Sequence, residues 1–231
     1  MTIATRFPKS WAVAGFDIKD PSLVLYLPLW YPYSDMTGST IYSYGRNRLS
    51  GTVTGATWGS QGRDFDGSDD NLNLGQSTTL DPGTGGFSIE AWVNTDTIAA
   101  GLGRVVSKQG AAWYFLRRSA ATWAISWKDS AANTLTVTST AGMAVVGKWI
   151  HLLAVRDGIN GYLYIDGLLN ASGSTVGLDN INPGAANCYI GTYDQISEGF
   201  DGKIGEVRVY NRALSVGEIL RNYQVTKWRY Q

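Results

Sequence analysis

The chain has 231 residues, and its 19 basic and 19 acidic side chains balance to zero formal charge. No basic block supplies the electrostatic footprint of a nucleic-acid binder, and no apolar run is long enough to cross a bilayer. One cysteine, Cys188, rules out an internal disulfide, and with a single histidine, His151, it argues against a zinc site.

Residues 1–21 lack periodicity and lack the apolar core of a secretory signal. The expectation is cytoplasmic synthesis, followed by assembly into a virion or onto a cell surface. This segment reads as an N-terminal arm, in which Phe7, Trp11 and Phe16 stand among basic residues. From residue 22, short apolar or alternating runs recur between turn signals, starting with LVLYLPLW (23–30). The content of 28 Gly, 9 Trp and 13 Tyr suits many short strands joined by tight turns.

FDGSDDNLNLG (65–75) gathers Asp66, Asp69, Asp70 and Asn71. These are residues of turn chemistry, since their side chains accept bonds from local amides. They are also oxygen ligands for a hard cation. Counted from Asp64, the sixth residue is Asp69 and the twelfth Gly75, which breaks the EF-hand pattern of glycine then glutamate. The preferred reading is turn chemistry within a hairpin. If calcium binds, Asp66, Asp69 and Asp70 are its ligands, with carbonyls or Asp201 completing the shell; no cofactor is required.

FSIEAWVN (87–94) puts Ile89, Ala91 and Val93 on one face, with Glu90 and Trp92 on the other. AWYFLRR and TWAISWKD form a predicted hairpin, and NTLTVTST alternates as a half-buried strand. KWIHLLAVRDG places His151 inside a strand, where a hydrogen-bonded structural role is expected. In GYLYIDGLLNAS, Asp166-Gly167 between apolar runs is a hairpin turn. The NAS sequon at Asn170 has force only in a secreted protein. Cys188 in NCYIG reads as a small buried hydrophobe, and KIGEVRVY closes the strand series. LSVGEILRNY carries Ser215 and Glu218 at capping-box spacing and predicts the one helix. Residues 224–231 form a tail containing Trp228 and Tyr230. Docking on the parent domain is preferred for both flanks, with subunit contact as the other use.

The ordered series LVLYLPLW, FDGSDDNLNLG, FSIEAWVN, GKWIHLLAVRDG, GYLYIDGLL, YIGTY and FDGKIGEVRVYNRALSVGEI resembles the laminin-G-like, concanavalin A-like jelly rolls over residues 23–223. The resemblance implies an all-β fold, a two-sheet antiparallel jelly-roll sandwich with one short C-terminal helix. It also implies that Trp92, Trp149, Val155, Leu163, Ile165, Val207 and Val209 are core. A family with lectins, virion proteins, adhesins and glycosidases leaves function open.

Hydrolysis of a glycosidic bond needs two carboxylates flanking it, and the E-x-D-x-E strand pattern is absent: Ala91 to Asn94 follow Glu90, and Val207 to Tyr210 follow Glu206. No nucleophile elbow or phosphate loop occurs. The reading is a non-catalytic module. The first version is a structural subunit, such as a virion decoration or fibre protein, assembling through its arms with protein partners or with copies of itself. The second is a lectin-like module that binds glycans through edge loops, with Trp113, Trp123, Trp127 and Tyr193 as candidate platform residues; alternation places Trp123 and Trp127 on the inner face instead. A glycosidase is third.

Overall fold

The computed structural model describes residues 20–30, 39–44, 47–99, 101–194 and 197–231. The sequence calls on Phe7, Trp11 and Phe16 lie outside the described residues.

Sixteen strands and one helix are described: β1 (Leu23–Pro28), β2 (Thr40–Tyr42), β3 (Ser50–Thr54), β4 (Thr57–Trp58), β5 (Arg63–Asp66), β6 (Asn71–Asn73), β7 (Phe87–Thr95), β8 (Leu102–Gln109), β9 (Trp113–Ser119), β10 (Thr122–Lys128), β11 (Thr134–Thr138), β12 (Trp149–Asp157), β13 (Asn160–Ile165), β14 (Leu168–Ser174), β15 (Cys188–Ile190), β16 (Asp201–Tyr210) and α1 (Val216–Thr226). They form two eight-stranded sheets. Sheet A runs β14-β13-β12-β7-β16-β5-β4, with β1 also paired to β16; sheet B runs β11-β10-β9-β8-β15-β6-β3-β2. All named strand pairs are antiparallel. This is the expected jelly-roll sandwich.

Alternation supplies the core between the sheets. Ile89, Ala91 and Val93 of β7 meet Tyr114 and Leu116 of β9 and Trp123, Ile125 and Trp127 of β10 in one apolar cluster. Cys188 is buried there too, and burial pushes its thiol up to about 12. The Asp166-Gly167 turn between β13 and β14 has positive φ at both residues, 51° and 79°, as a tight primed hairpin turn requires. The β9–β10 hairpin pairs in register from Ser119↔Thr122 to Trp113↔Lys128.

The structure revises three expectations. FDGSDDNLNLG is not a hairpin: β5 pairs with β4 and β16 in sheet A, while β6 pairs with β3 and β15 in sheet B. The turn is an arch between sheets, because Phe65 before it and Leu72 and Leu74 after it all enter the same core. Three short strands between residues 40 and 58 were not anticipated; their Thr, Ser and Gly residues give little apolar signal. Finally, Trp149 is only half-buried, whereas Trp92, Val155, Leu163, Ile165, Val207 and Val209 are buried as expected.

Helix α1 begins with the anticipated capping box: the Ser215 hydroxyl accepts from the Glu218 amide, and the Glu218 carboxylate accepts from the Ser215 amide at 2.9 Å. Glu218 also binds Arg212, whose donors hold its carboxyl down at about 2. The helix lies over the outer face of sheet A. Ile219 and Leu214 join Leu23, Tyr26, Leu153, Val155, Tyr164 and Tyr210 in a second apolar cluster there.

Candidate functional site

The two sheets present outer faces of similar composition in very different states. On sheet A the outward residues of β7 are Glu90 and Trp92, and across the register stand Arg208 and His151. His151 Nε2 lies 2.9 Å from Glu90 Oε1, Arg208 forms a short contact to the same oxygen, and Asn222 of α1 donates to Glu90 Oε2 at 2.8 Å. Arg208 also reaches Glu206 at 2.8 Å. Burial opposes ionisation of Glu90, but the Arg208 guanidinium and the His151 and Asn222 donors outweigh it and hold the carboxyl down at about 2.

The tail completes this seal. Tyr230, 4% exposed, stacks on Trp92 at 4.5 Å between ring centroids, and the Trp92 indole N–H donates to Thr226 Oγ1 at 2.8 Å. Tyr230 thus docks on its own domain, the preferred expectation for this flank, and is not available as an assembly-arm residue: its ring fills the space over Trp92. Trp228, at 68% exposure, points to solvent. Glu90 and Glu206 are the paired carboxylates that the sequence pattern did not reveal, but each is 1% exposed and shares Arg208. They are arranged as a neutralised interior network.

On sheet B, Trp113, Phe115 and Arg117 of β9 alternate with the core residues Tyr114 and Leu116 and so share the outer face. Their register partners on β10 are Lys128, Ser126 and Ala124, and on β8 Gln109, Ser107 and Arg104. Trp113 stacks on Phe115 at 4.7 Å with planes 15° apart. The Arg104 guanidinium lies 3.6 Å from the Phe115 centroid and 5.2 Å from that of Tyr193, and Arg117 lies 5.5 Å from Phe115. Beside this ladder opens a cleft of about 310 Å³ lined by Gln109, Asn187, Tyr189, Tyr193 and Asp194.

The loop after β15 builds the far wall. Its Glu198 bonds Arg104 twice, accepting from the Arg104 amide at 2.9 Å and from the guanidinium side chain, and holds a positive φ of 52° to do so. Asp194 braces the same loop by accepting from the Ser197 amide and hydroxyl.

Of the four residues expected to form a sugar platform, Trp113 and Tyr193 come together at this face. Trp123 and Trp127 do not. Both have no exposure and fill the core, as their alternation with Ala124, Ser126 and Lys128 dictates, so neither can contact a ligand. Sequence reading missed Phe115, Arg104 and Arg117, although the W-x-F-x-R spacing of β9 carried the signal.

The acidic arch is a third feature. One ligand oxygen from each of Asp66, Asp69 and Asp70 falls within a 4.8 Å cluster. Local bonds engage part of this set: Asp70 accepts from the Asp66 amide at 2.9 Å, Asp66 from the Ser68 amide at 2.8 Å, and Asn71 donates to the Asp69 carbonyl at 2.8 Å. That is the anticipated turn chemistry. Burial, aided by the neighbouring acids, raises the Asp70 carboxyl. Asp201 pairs in register with Asp66, and burial and nearby acids raise its carboxyl as well. The donor set fits part of a calcium shell, which takes six to eight oxygens.

The comparisons agree with this architecture. Residues 66–220 match the laminin-G-type model of the concanavalin A-like lectin/glucanases superfamily, and the chain belongs to that family. No curated protein sequence matches it. Among solved structures, the binding domain of botulinum neurotoxin serotype G superposes with a TM-score of 0.67 at 15% identity, over 88% of this chain and 51% of that one. The serotype D ligand-binding domain, solved in complex with N-acetylneuraminic acid, gives 0.66 at 13% identity over 89% and 51%. A Trypanosoma rangeli sialidase gives 0.67 at 18% identity over 92% and 34%. The chain thus spans about half the length of the toxin domains it resembles.

Proposed function

We propose that this domain is a non-catalytic carbohydrate-binding module whose site is the outer face of sheet B. The observation that carries the reading is the stacked Trp113–Phe115 pair beside a cleft edged by Gln109, Asn187, Tyr189 and Tyr193. A sugar ring offers apolar C–H faces and a rim of hydroxyls. Aromatic faces receive the first, and amide, phenol and guanidinium groups receive the second. The likeness to a toxin domain solved with N-acetylneuraminic acid and to a sialidase supports glycans as the ligand class. The sealed Glu90–Glu206 pair supports the absence of hydrolysis, because no bond can reach it without displacing α1.

A glycan array probed with the full chain and with Trp113→Ala tests this. Binding that is lost in the variant supports the reading. An empty array, or retention of every signal by the variant, contradicts it.

The assembly reading keeps one observation of its own. The edge strand β14 exposes Leu168 and Leu169, at 69% and 56%, and Val216, Leu220 and Trp228 of the C-terminal region are also exposed. An apolar sheet edge is a template for protein contact. Light scattering on the full chain and on a form lacking residues 1–21 separates the readings: an oligomer that dissociates on truncation favours assembly.

A further inference from the structure

We propose that the sheet B face selects acidic saccharides, with Arg117 and Lys128 as the cations offered to an anionic group while Trp113 receives the sugar ring. This rests on the carbohydrate-binding reading and names the ligand class within it.

The inference comes from how charge is distributed on that face. Arg104 and Arg117 are register partners on adjacent strands, and their guanidiniums flank the same Phe115 ring. Lys128 is the register partner of Trp113 on the other side. Three cations therefore surround two stacked rings. Glu198 pairs with Arg104, and its charge also acts on Arg117. Among the described residues neither Arg117 nor Lys128 has an ion-pair partner within 4 Å. Asp194, at the margin of the cleft, accepts from the Ser197 amide and hydroxyl.

Two further facts concern these arginines. Arg104 Nη1 and Arg117 Nε are buried without hydrogen-bond partners. A guanidinium presents donors in a planar fork that matches a carboxylate, so the half-exposed Arg117, on the same strand face as Trp113, suits a ring carrying one. The two arginines also repel each other: burial, then the charge of Arg104, lowers the affinity of Arg117 for its own proton, and the Glu198 charge offsets only part of this. An incoming anion relieves that repulsion; a neutral hydroxyl does not.

Sheet A meets its cations in two ways: Arg156 is held by the carbonyls of Gly83, Gly85 and Asp179, and other arginines by carboxylates. There Arg208 meets Glu90 and Glu206, and Arg212 meets Asp20 and Glu218.

The test is titration calorimetry on the full chain with matched pairs of probes: sialyllactose against lactose, and an oligogalacturonide against its methyl ester. The two pairs distinguish a sialic acid from a uronic acid as the source of the carboxylate. At 50 mM salt at least one acid is expected to bind tenfold or more tightly than its neutral partner, with the preference shrinking at 300 mM as screening increases. Arg117→Gln and Lys128→Gln are expected to reduce that ratio to within about threefold of unity, whereas Trp113→Ala weakens acid and neutral forms alike. An unchanged melting temperature certifies the fold of each variant. Equal affinity for acid and neutral partners overturns the charge selection and leaves the sugar-binding reading standing. Failure of all four probes, together with an empty glycan array, overturns both.

Discussion

The outer faces of the two sheets carry the same kinds of side chain, rings beside guanidiniums, yet one is closed over Trp92 and Arg208 while the other keeps Trp113, Arg117 and Lys128 half-exposed. On sheet A, Trp92 is roofed by Tyr230 and Tyr223 and bonded to Thr226, and Arg208 is bracketed by two glutamates. On sheet B, among the described residues, Trp113 stays half-exposed beside the buried Phe115, and Arg117 has no ion pair within 4 Å. The difference teaches that a buried polar network and a binding face can share ingredients. What separates them is whether the protein itself supplies the complement. Where α1 and the tail supply it, the result is a second core; where they do not, the side chains stay available for the binding proposed above.

The largest effect is expected from breaking the closed face. Glu90→Ala strands Arg208 and Asn222 in the interior, and removing one partner of a buried pair costs about 3–5 kcal/mol. At roughly 2–4 °C per kcal/mol for a chain of this length, the melting temperature falls by about 10 °C. Thermal denaturation followed by circular dichroism measures it, and Arg117→Gln in the same assay is expected to shift the midpoint by no more than about 2 °C.

Acid should open the same face. The Glu90 and Glu218 carboxyls are held at about 2 in the folded protein, below their ordinary value near 4.5. A lowered folded value contributes stability that is present above pH 4.5 and is lost as pH falls towards 2. Melting temperature measured from pH 7 to pH 2 is expected to be flat to about pH 5 and to drop by several degrees below 4.5. Glu90→Gln flattens that acid limb. An unaltered limb in the variant would place the acid sensitivity elsewhere.

The open face is expected to respond in binding instead of stability. Trp113→Ala weakens glycan affinity about tenfold, on the order of 1.4 kcal/mol, with little change in melting temperature. Smallest of all is the acidic arch. Because local amides already engage its carboxylates, EDTA is expected to move the melting temperature by less than about 1 °C. A rise of several degrees with added calcium would instead make Asp66, Asp69 and Asp70 ligands.

Much of this fold is legible in the sequence because its cues are local. Alternation fixes the strands and the burial of Trp123 and Trp127, Asp166-Gly167 marks a hairpin, and Ser215 with Glu218 marks a helix start. The comparison between faces is not local. FSIEAWVN and AWYFLRR both alternate, and nothing within either says that α1 will cover Trp92 and leave Trp113 half-exposed. The FDGSDDNLNLG arch fails for a related reason: its turn residues are the same whether the flanking strands pair or part into opposite sheets. Tyr230 and Trp228 are two residues apart in one tail, and only packing assigns one to the interior and the other to solvent.

The central claim, that sheet B carries the open binding face, is tested most directly by the indole N–H resonances of ¹⁵N-tryptophan-labelled protein during titration with a glycan hit. The account expects the Trp113 resonance, assigned through Trp113→Phe, to move in a saturable way while those of Trp92, Trp123 and Trp127 stay in place. Saturable movement of Trp228 with Trp113 unmoved would put the ligand on the other side of the sandwich and contradict it.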